Sequence, residues 1–257
     1  MLINKRNYQY LVDLITELAK KELKVRYKNS FLGYLWSILS PLTSAVVFFV
    51  AFKIVIKLKI ENYVLFLISG LFCWQWFTNS LLGSANLFLN NANLIKKVSF
   101  PRDALVYSMV INDMIHFILS FPVIFLFMGL YRQNFSYYLF LLPIAIILQF
   151  FFVSGMSLII SSINLFFRDL ERLVVVFTNL LFYATPIIYS EEMVPLKYKI
   201  ILSLNPMANF VILYRDLLLS NRVQINILML CFIYSIGFFY LGYNIYKNLQ
   251  WKFAEII

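Results

Sequence analysis

The stretch Leu23–Pro41, LKVRYKNSFLGYLWSILSP, decides the fold class, because it joins a dense basic segment to a long apolar one. Its cations, Lys24, Arg26 and Lys28, suit water or lipid phosphates, and Trp36 suits the headgroup depth of a bilayer. Apolar residues dominate the segment after Trp36, as hydrocarbon requires. We therefore interpret this stretch as the start of a membrane-spanning helix.

The composition supports a membrane protein. The chain has 257 residues, of which 62% are hydrophobic and 13% charged, whereas soluble proteins have about 45–50% and about 25%. The net charge of +10 does not indicate nucleic-acid binding, because the cations cluster at the ends of apolar segments, where they meet headgroups. Cys73 and Cys231 lie in apolar stretches without metal-ligand spacing, so we expect no metal site.

Six apolar segments predict an all-α, polytopic membrane protein, because long apolar runs suit helices rather than barrel strands. The fifth is near the lower limit for a span and contains Pro186. The predicted helices cover 31–56, 63–82, 105–130, 137–165, 173–189 and 225–246. They form a membrane domain, 31–246, between a cytoplasmic N-terminal tail, 1–30, and a cytoplasmic C-terminal tail, 247–257.

Two segments are apolar but should not span. Tyr8–Leu23 has apolar residues at steps of three and four, which predicts an amphipathic helix in the interface, either as an anchor or as a docking surface for a partner. In the last connection, Tyr198–Leu204 and Pro206–Leu219 are too short to span. We expect two re-entrant helices, broken at Asn205-Pro206.

The distribution of cations predicts the orientation. With six spans both termini share one side, which holds 14 of the 22 Lys and Arg residues against 8 on the other. The more basic side of a membrane protein faces the cytoplasm. We therefore expect both termini to be cytoplasmic.

Several strings, in order along the chain, resemble those of permease subunits of type-2 ABC exporters, which move lipid-linked polysaccharides. The likeness is strongest to Wzm-type permeases of O-antigen export, with teichoic-acid and capsule permeases as alternatives. The strings are Arg26-Tyr27-Lys28, Ser30, Leu32-Gly33, Trp36 and Pro41; Leu94–Arg102, LIKKVSFPR; Thr185–Ser190, TPIIYS; Asn205-Pro206 with Arg215; and Trp251–Ile256, WKFAEI.

The resemblance implies a homodimer in the inner (plasma) membrane of a bacterium, joined to two copies of a cytoplasmic ATP-binding subunit. ATP and Mg would belong to that subunit, because none of the seven glycines here is followed by the Lys of a phosphate-binding loop. We therefore expect a transport subunit without catalytic residues or a cofactor of its own. The candidates for docking the ATP-binding subunit are Leu94, Lys96, Lys97, Phe100, Pro101 and Arg102.

The substrate class predicts the character of the pathway. Sugar rings stack on aromatic rings, so a polysaccharide channel at the dimer interface should be lined by aromatics rather than charges. Spans one and five are the expected walls, with Ser37, Ser40, Pro41, Thr43 and Ser44 in span one. The candidate lining residues are Trp36, Trp74, Trp76, Phe77, Phe177, Phe182 and Tyr183, and the candidate outer gate loop holds Asn205, Pro206 and Arg215.

Other function classes remain as alternatives. Asp113 and His116 stand three apart in span three and form either a helix-packing hydrogen bond or a proton relay, as in a proton-coupled secondary transporter. Such transporters usually show internal repeats, and none is visible. A lipid-phosphate transferase would need clustered ionisable residues at one interface, but the sole histidine is mid-span. An ABC exporter of drugs or lipids is a nearer alternative.

Overall fold

All regular secondary structure in the part of the chain that the structure describes is helical. The computed structural model describes residues 5–26 and 33–256. Within these ranges lie α1 (Lys5–Arg26), α2 (Trp36–Phe48), α3 (Tyr63–Ala85), α4 (Leu87–Asn90), α5 (Ala92–Lys97), α6 (Asp103–Leu130), α7 (Leu142–Asn164), α8 (Leu170–Ala184), α9 (Lys199–Leu204), α10 (Pro206–Arg215), α11 (Ile225–Leu249) and α12 (Phe253–Ile256). π-Helical segments extend α2 and α10, over Phe49–Val55 and Asp216–Ser220.

Five helical stretches of the described chain are long and apolar enough to cross a membrane, which confirms a multi-pass helical membrane protein. They match the first, second, third, fourth and sixth predicted segments. Helix α8 matches the fifth but has only 15 residues, about 22 Å at 1.5 Å per residue, against about 30 Å of hydrocarbon. The five stretches are Trp36–Val55, Tyr63–Ala85, Asp103–Leu130, Tyr137–Asn164 and Ile225–Lys252.

The first of the strings that resemble ABC permeases, between Arg26 and Pro41, lies only partly within the described residues. Arg26 ends α1, Gly33 begins a 3₁₀ turn, and Trp36 and Pro41 lie in α2. Gly33 has φ of +48°, a left-handed conformation that glycine adopts without strain. The motif residues Tyr27, Lys28, Ser30 and Leu32, and the predicted first residue of span one, Phe31, lie outside the described residues.

Helix α3 forms the centre of the bundle. It packs against α2, α6, α7, α8 and α10, and its fully buried side chains include Leu67, Ile68, Cys73 and Phe77. A helix surrounded by others is apolar on all sides instead of along one stripe. Helix α3 is thus buried on most sides, although its mean hydropathy of 1.3 is the lowest of the five membrane-length stretches.

Helices α7 and α11 approach each other backbone to backbone at two glycines. A Cβ atom on Gly242 would lie 2.2 Å from the carbonyl oxygen of Gly155, and one on Gly155 would lie 2.4 Å from the backbone of Phe238. Small residues of this kind allow membrane helices to pack backbone against backbone. Ser235 adds an interhelical hydrogen bond, donating its hydroxyl to the carbonyl of Leu148 at 2.7 Å.

The bundle has two distinct ends, which we name by their connections. The basic end holds the connections 86–102 and 165–169 and the C-terminal segment 250–256. The loop end holds 56–62, 131–136, 185–198 and 221–224. The hydroxyl of Ser136 donates a hydrogen bond to the side-chain oxygen of Asn221 at 3.2 Å, which joins two connections of the loop end.

Helix α1 lies against α6 near the basic end. Its buried residues Leu18 and Ala19 face the bundle, and the side-chain amide of Asn112 donates to the carbonyl of Ala19 at 3.1 Å. The ammonium of Lys21 donates to the side-chain oxygen of Asn91 at 3.2 Å. These contacts fix α1 to α6 and to the connection 86–102, as its amphipathic pattern allows.

Candidate functional site

A non-helical turn, 185–188, follows α8 at the loop end and is bound by two side chains of the last connection. The first is Asn205, whose Oδ1 accepts hydrogen bonds from the backbone of Met207 at 3.0 Å and Ala208 at 3.3 Å. Its Nδ2 donates to the hydroxyl of Thr185 at 3.0 Å. One amide thus caps the N-terminus of α10 and joins it to the end of α8.

The second side chain is Arg215, which is 7% exposed. Its guanidinium donates to the carbonyls of Pro186, of Ile187 at 2.7 Å and of Phe66 at 3.2 Å, and stacks over the Phe66 ring at 3.5 Å. A turn leaves carbonyls without helical partners, and burying them unpaired is costly. Arg215 satisfies those carbonyls, so it holds the turn against α3. We call Asn205, Arg215 and the turn 185–188 the turn clamp.

Helix α10, which carries the clamp, is enclosed by the protein. Every residue from Met207 to Arg215 is buried, and the helix packs against α3, α7, α9 and α11. Pro206 occupies its first position, where a missing N–H costs nothing. The predicted pair of short helices around Asn205-Pro206 is present as α9 and α10.

A charged network lies beside the clamp. Arg222 donates to Asp216 at 3.2 Å and to Glu191 at 3.3 Å, and one of its Nη atoms lies 3.9 Å from Glu192. These residues line a cavity of about 460 Å³ at the loop end, which Arg215 also reaches. The network therefore connects the segment after α10 with the segment that follows the turn.

Burial and hydrogen bonding shift the pKa values of two ionisable groups in this network. Burial raises the pKa of the Asp216 carboxyl above its ordinary value, against the opposing effect of the hydrogen bond from Arg222. The same hydrogen bond raises the pKa of the Arg222 guanidinium. Arg222 thus remains a cation, and its half-exposed side chain makes the network a solvent-facing link.

A groove with aromatic walls runs between α2, α3 and α8, and we name it the Phe182 groove. Three adjoining cavities of about 380, 290 and 280 Å³ share Phe182 as a lining residue. The Phe182 ring stacks on Phe48 at 5.6 Å and meets Trp74 edge-on at 5.6 Å and Tyr183 at 5.4 Å, between ring centroids. Pro41 of α2 also lines the groove.

Polar but uncharged groups complete the walls of the Phe182 groove. None of the described residues that line its three cavities is charged. Aromatic faces and neutral hydrogen-bonding groups are the chemistry that sugar rings and hydroxyls match. The polar lining residues include Ser40, Ser44, Gln75, Thr78, Asn79, Thr178 and Asn179.

The connection 86–102 forms a third feature, at the basic end. It folds into the short helices α4 and α5, and its apolar residues Phe88 and Ile95 are buried. Lys96 and Lys97 end α5 and are exposed. The connection therefore exposes two lysines, while its apolar residues pack against the helix bundle.

Comparison with known proteins places these features in a family. The model of the "ABC-2 type transporter" membrane family matches residues 13–219. The chain belongs to the ABC-2 transporter family. This membership confirms the likeness to type-2 ABC permeases, and it disfavours a secondary transporter or a membrane transferase.

The curated relatives of this ABC-2 protein match it along nearly its whole length. Two proteins of Klebsiella pneumoniae, each named O-antigen export system permease protein RfbA, are 41% identical over 254 residues and 42% identical over 255 residues. In both cases 98% of each chain is covered. A protein of the same name from Myxococcus xanthus is 31% identical over 253 residues, with 97% of each chain covered.

The candidate lining residues occupy three different settings in this ABC-2 protein. Trp74, Phe182 and Tyr183 meet in the Phe182 groove. Trp76 and Phe77 are buried inside the helix bundle, stacked on Phe117 and Phe152 respectively. Phe177 on α8 and Trp36 at the start of α2 are exposed but lie outside the three cavities.

The candidate docking residues differ in their exposure and contacts. Lys96, Lys97 and Pro101 are exposed, and Leu94 and Phe100 are half-buried. Arg102 instead donates to the carbonyl of Gln250 and lies over the ring of Phe253 at 5.9 Å. Its role in the described structure is therefore internal, whereas the lysines remain available to a partner.

Asp113, one of two buried ionisable residues in α6, contributes to helix packing. Asp113 accepts a hydrogen bond from the hydroxyl of Ser80 on α3 at 2.8 Å, and His116 is buried one turn further along α6. The hydrogen bond links two central helices, which agrees with the helix-packing interpretation of Asp113.

Several residues of these sites were not singled out from the sequence. Phe48 completes the Phe182 groove, Phe66 carries the stacked guanidinium, and Tyr63 donates its hydroxyl to the carbonyl of Ile188 at 2.9 Å. Each lies in an apolar run rich in aromatics, so no signal in the sequence separates it from its neighbours. Only their contacts across helices identify them.

Proposed function

We propose that this chain is the permease subunit of an ATP-driven exporter that moves lipid-linked polysaccharide out of the cytoplasm. The single observation that carries the proposal is the Phe182 groove, with aromatic rings and neutral polar groups on its walls. The names of the relatives, O-antigen export permeases, support the same substrate class. Stacking on several rings gives a weak, repeated grip that tolerates a sliding polymer.

The groove would become a channel at the interface of a homodimer. On α8 the apolar face away from the bundle is uncovered, with Tyr183 70% and Phe177 46% exposed. Little of α2 is buried within the protomer either. A second copy placed against α2 and α8 would cover these faces and enclose the groove. Lipid is the alternative cover, and the groove's neutral polar groups argue against it because hydrocarbon offers them no partners.

The turn clamp supports a sixth span. Helix α8 runs from the basic end to the loop end, and its 15 residues fall short of a full crossing. The turn 185–188 would complete the crossing, because Arg215 and Tyr63 pair its carbonyls. Irregular backbone is tolerated at membrane depth only where protein satisfies it in this way. In this arrangement α9 and α10 are re-entrant, and Asn205, Pro206 and Arg215 belong to an outer gate.

The excess of cations at the basic end supports a cytoplasmic location for that end. Two cytoplasmic ATP-binding subunits, which hold ATP and Mg, would dock against Lys96 and Lys97. The membrane would be the inner membrane of a bacterium.

An export assay tests the proposal. A strain lacking this permease would be complemented with the wild type, with the double variant Phe182→Ala/Tyr183→Ala, and with Tyr240→Ala as a control. Tyr240 on α11 is 67% exposed, which is similar to the 70% exposure of Tyr183, but it does not line the groove. We expect the double variant to reach the membrane in normal amounts and to accumulate lipid-linked glycan in the cytoplasm. Full surface display of long chains by that variant would remove α8 from the channel wall.

A further inference from the structure

The C-terminal segment folds back onto the connection that carries the docking lysines. Helix α11 ends at Leu249, and a 3₁₀ turn, Gln250–Lys252, leads into the short helix α12. Phe253, at the start of α12, is fully buried although it lies close to the last residue of the sequence, Ile257. A buried aromatic ring needs a partner surface that covers it.

The partner surface is an aromatic cluster at the base of the connection 86–102. The Phe253 ring lies 5.0 Å from Phe88 and 6.0 Å from Tyr246, between centroids, and Phe88 lies 6.4 Å from Tyr246. Phe88 belongs to α4, at the start of the connection. The tail thus packs directly beneath the first part of the connection.

The last part of the connection is tied to the same elements. Arg102 donates to the carbonyl of Gln250 and covers the Phe253 ring, and the backbone N–H of Asp103 donates to the hydroxyl of Tyr246 at 3.1 Å. Both ends of the connection therefore rest on α11 and the tail. The exposed lysines, Lys96 and Lys97, stand between these two anchor points.

We propose that the C-terminal tail, through Phe253, positions the connection 86–102 for docking of the ATP-binding subunit. The inference rests on the proposed function of that connection. Phe253 and Arg102 are positioning residues in this scheme, because they act through the connection and do not touch the partner. Motion of the docked subunit would then pass to α11 through the tail as well as to α6.

The first test is co-purification of the ATP-binding subunit with tagged permease. We expect Phe253→Ala to reduce the retained subunit about tenfold at equal permease amount, since a misplaced docking element forfeits much of its binding free energy. Phe253→Leu should retain most of it, because it keeps a buried apolar side chain. The matched control is Trp251→Ala, an aromatic of the same turn that is 64% exposed. Loss with Trp251→Ala but not with Phe253→Ala would overturn the proposal.

A double-mutant cycle tests whether Arg102 acts through the tail. Because Arg102→Gln and Phe253→Ala break the same link, the double variant should retain as much subunit as the worse single variant. Additive losses would mean that Arg102 contacts the partner directly, and the proposal would fail.

A cross-link between the tail and the connection distinguishes loss of their contact from misfolding of the permease. Cysteines replacing Phe88 and Phe253 would be joined by a short cross-linker, with the native Cys73 and Cys231 both buried. Joining them should restore the subunit retention and export that the unlinked pair lacks, and failure to restore either would contradict the proposal. The Lys96→Glu/Lys97→Glu variant tests the docking of the subunit at the connection separately from the role of the tail. If wild-type permease retains the subunit and this variant loses it, docking at the connection is supported, even if the tail variants contradict the role of Phe253.

Discussion

The side-chain amide of Asn205 donates a hydrogen bond to the hydroxyl of Thr185 at 3.0 Å, across 20 residues of chain. The bond joins the residue that caps the start of α10 to the residue that follows the end of α8. Two of the strings that resemble ABC permeases, Thr185–Ser190 and Asn205-Pro206, thus form one structural unit with Arg215. Because α8 also lines the Phe182 groove, the clamp sets the position of the groove's wall.

Arg215→Lys should destabilise the protein by roughly 2–4 kcal/mol, because an ammonium cannot reach three carbonyls and stack on Phe66 as the planar guanidinium does. The melting temperature of the permease in detergent measures this. Arg132→Lys is the control, since Arg132 is exposed at the same end. Equal melting temperatures for the two variants would show that the clamp does not stabilise the fold.

Gly242→Ala should destabilise the packing of α7 against α11 by roughly 1–3 kcal/mol, because the new methyl group would overlap the carbonyl of Gly155. Gly237→Ala on the same helix meets no atom within 4 Å, so it should be neutral or raise stability by up to about 1 kcal/mol. Thermal unfolding of both variants would compare them. A Gly242→Ala protein as stable as Gly237→Ala would contradict the close helix approach.

Lys96→Glu/Lys97→Glu should lower the amount of ATP-binding subunit that co-purifies by about tenfold, because charge reversal at an interface weakens association. The melting temperature of the permease itself should not change, since both side chains are exposed. Lys247→Glu, an exposed lysine on α11 near the basic end, is the control. Normal co-purification of the double variant would exclude this connection as the docking element.

Cysteines at Glu192 and Lys197 should react with a membrane-impermeant maleimide in intact cells, whereas a cysteine at Lys97 should react only after the membrane is opened. All three positions are exposed, and the native cysteines are buried. The expectation follows from six spans with α8 as the fifth. Reaction of the Glu192 variant only in opened cells would place the segment after α8 in the cytoplasm and remove that span.

The helical membrane fold follows from the sequence because long apolar runs leave few alternatives. The start of α3 at Tyr63 and the end of α6 at Leu130 match the predicted bounds. The length of α8 was harder to predict. Its apolar run continues through Pro186 to Tyr189, but the helix ends at Ala184, where the turn takes its hydrogen bonds from Asn205 and Arg215.

The orientation of individual side chains could not be predicted in the same way. Trp74 and Trp76 are two residues apart on a helix that is apolar all round, so no stripe indicates which of them faces the groove. The structure buries Trp76 against Phe117 and turns Trp74 to Phe182. The docking expectation for Arg102 likewise rests on the string Leu94–Arg102, whereas its contact with Phe253 depends on how the segment 250–256 folds, far along the chain.

Photo-cross-linking during export tests whether polysaccharide passes along the Phe182 groove. A photoreactive phenylalanine analogue would replace Tyr183 or, as a control, Tyr240, which have similar exposure. Irradiation of exporting cells should attach glycan to the permease carrying the analogue at 183, detected with an antibody against the polysaccharide, and not to the one carrying it at 240. Glycan attached at 240 and not at 183 would contradict the account.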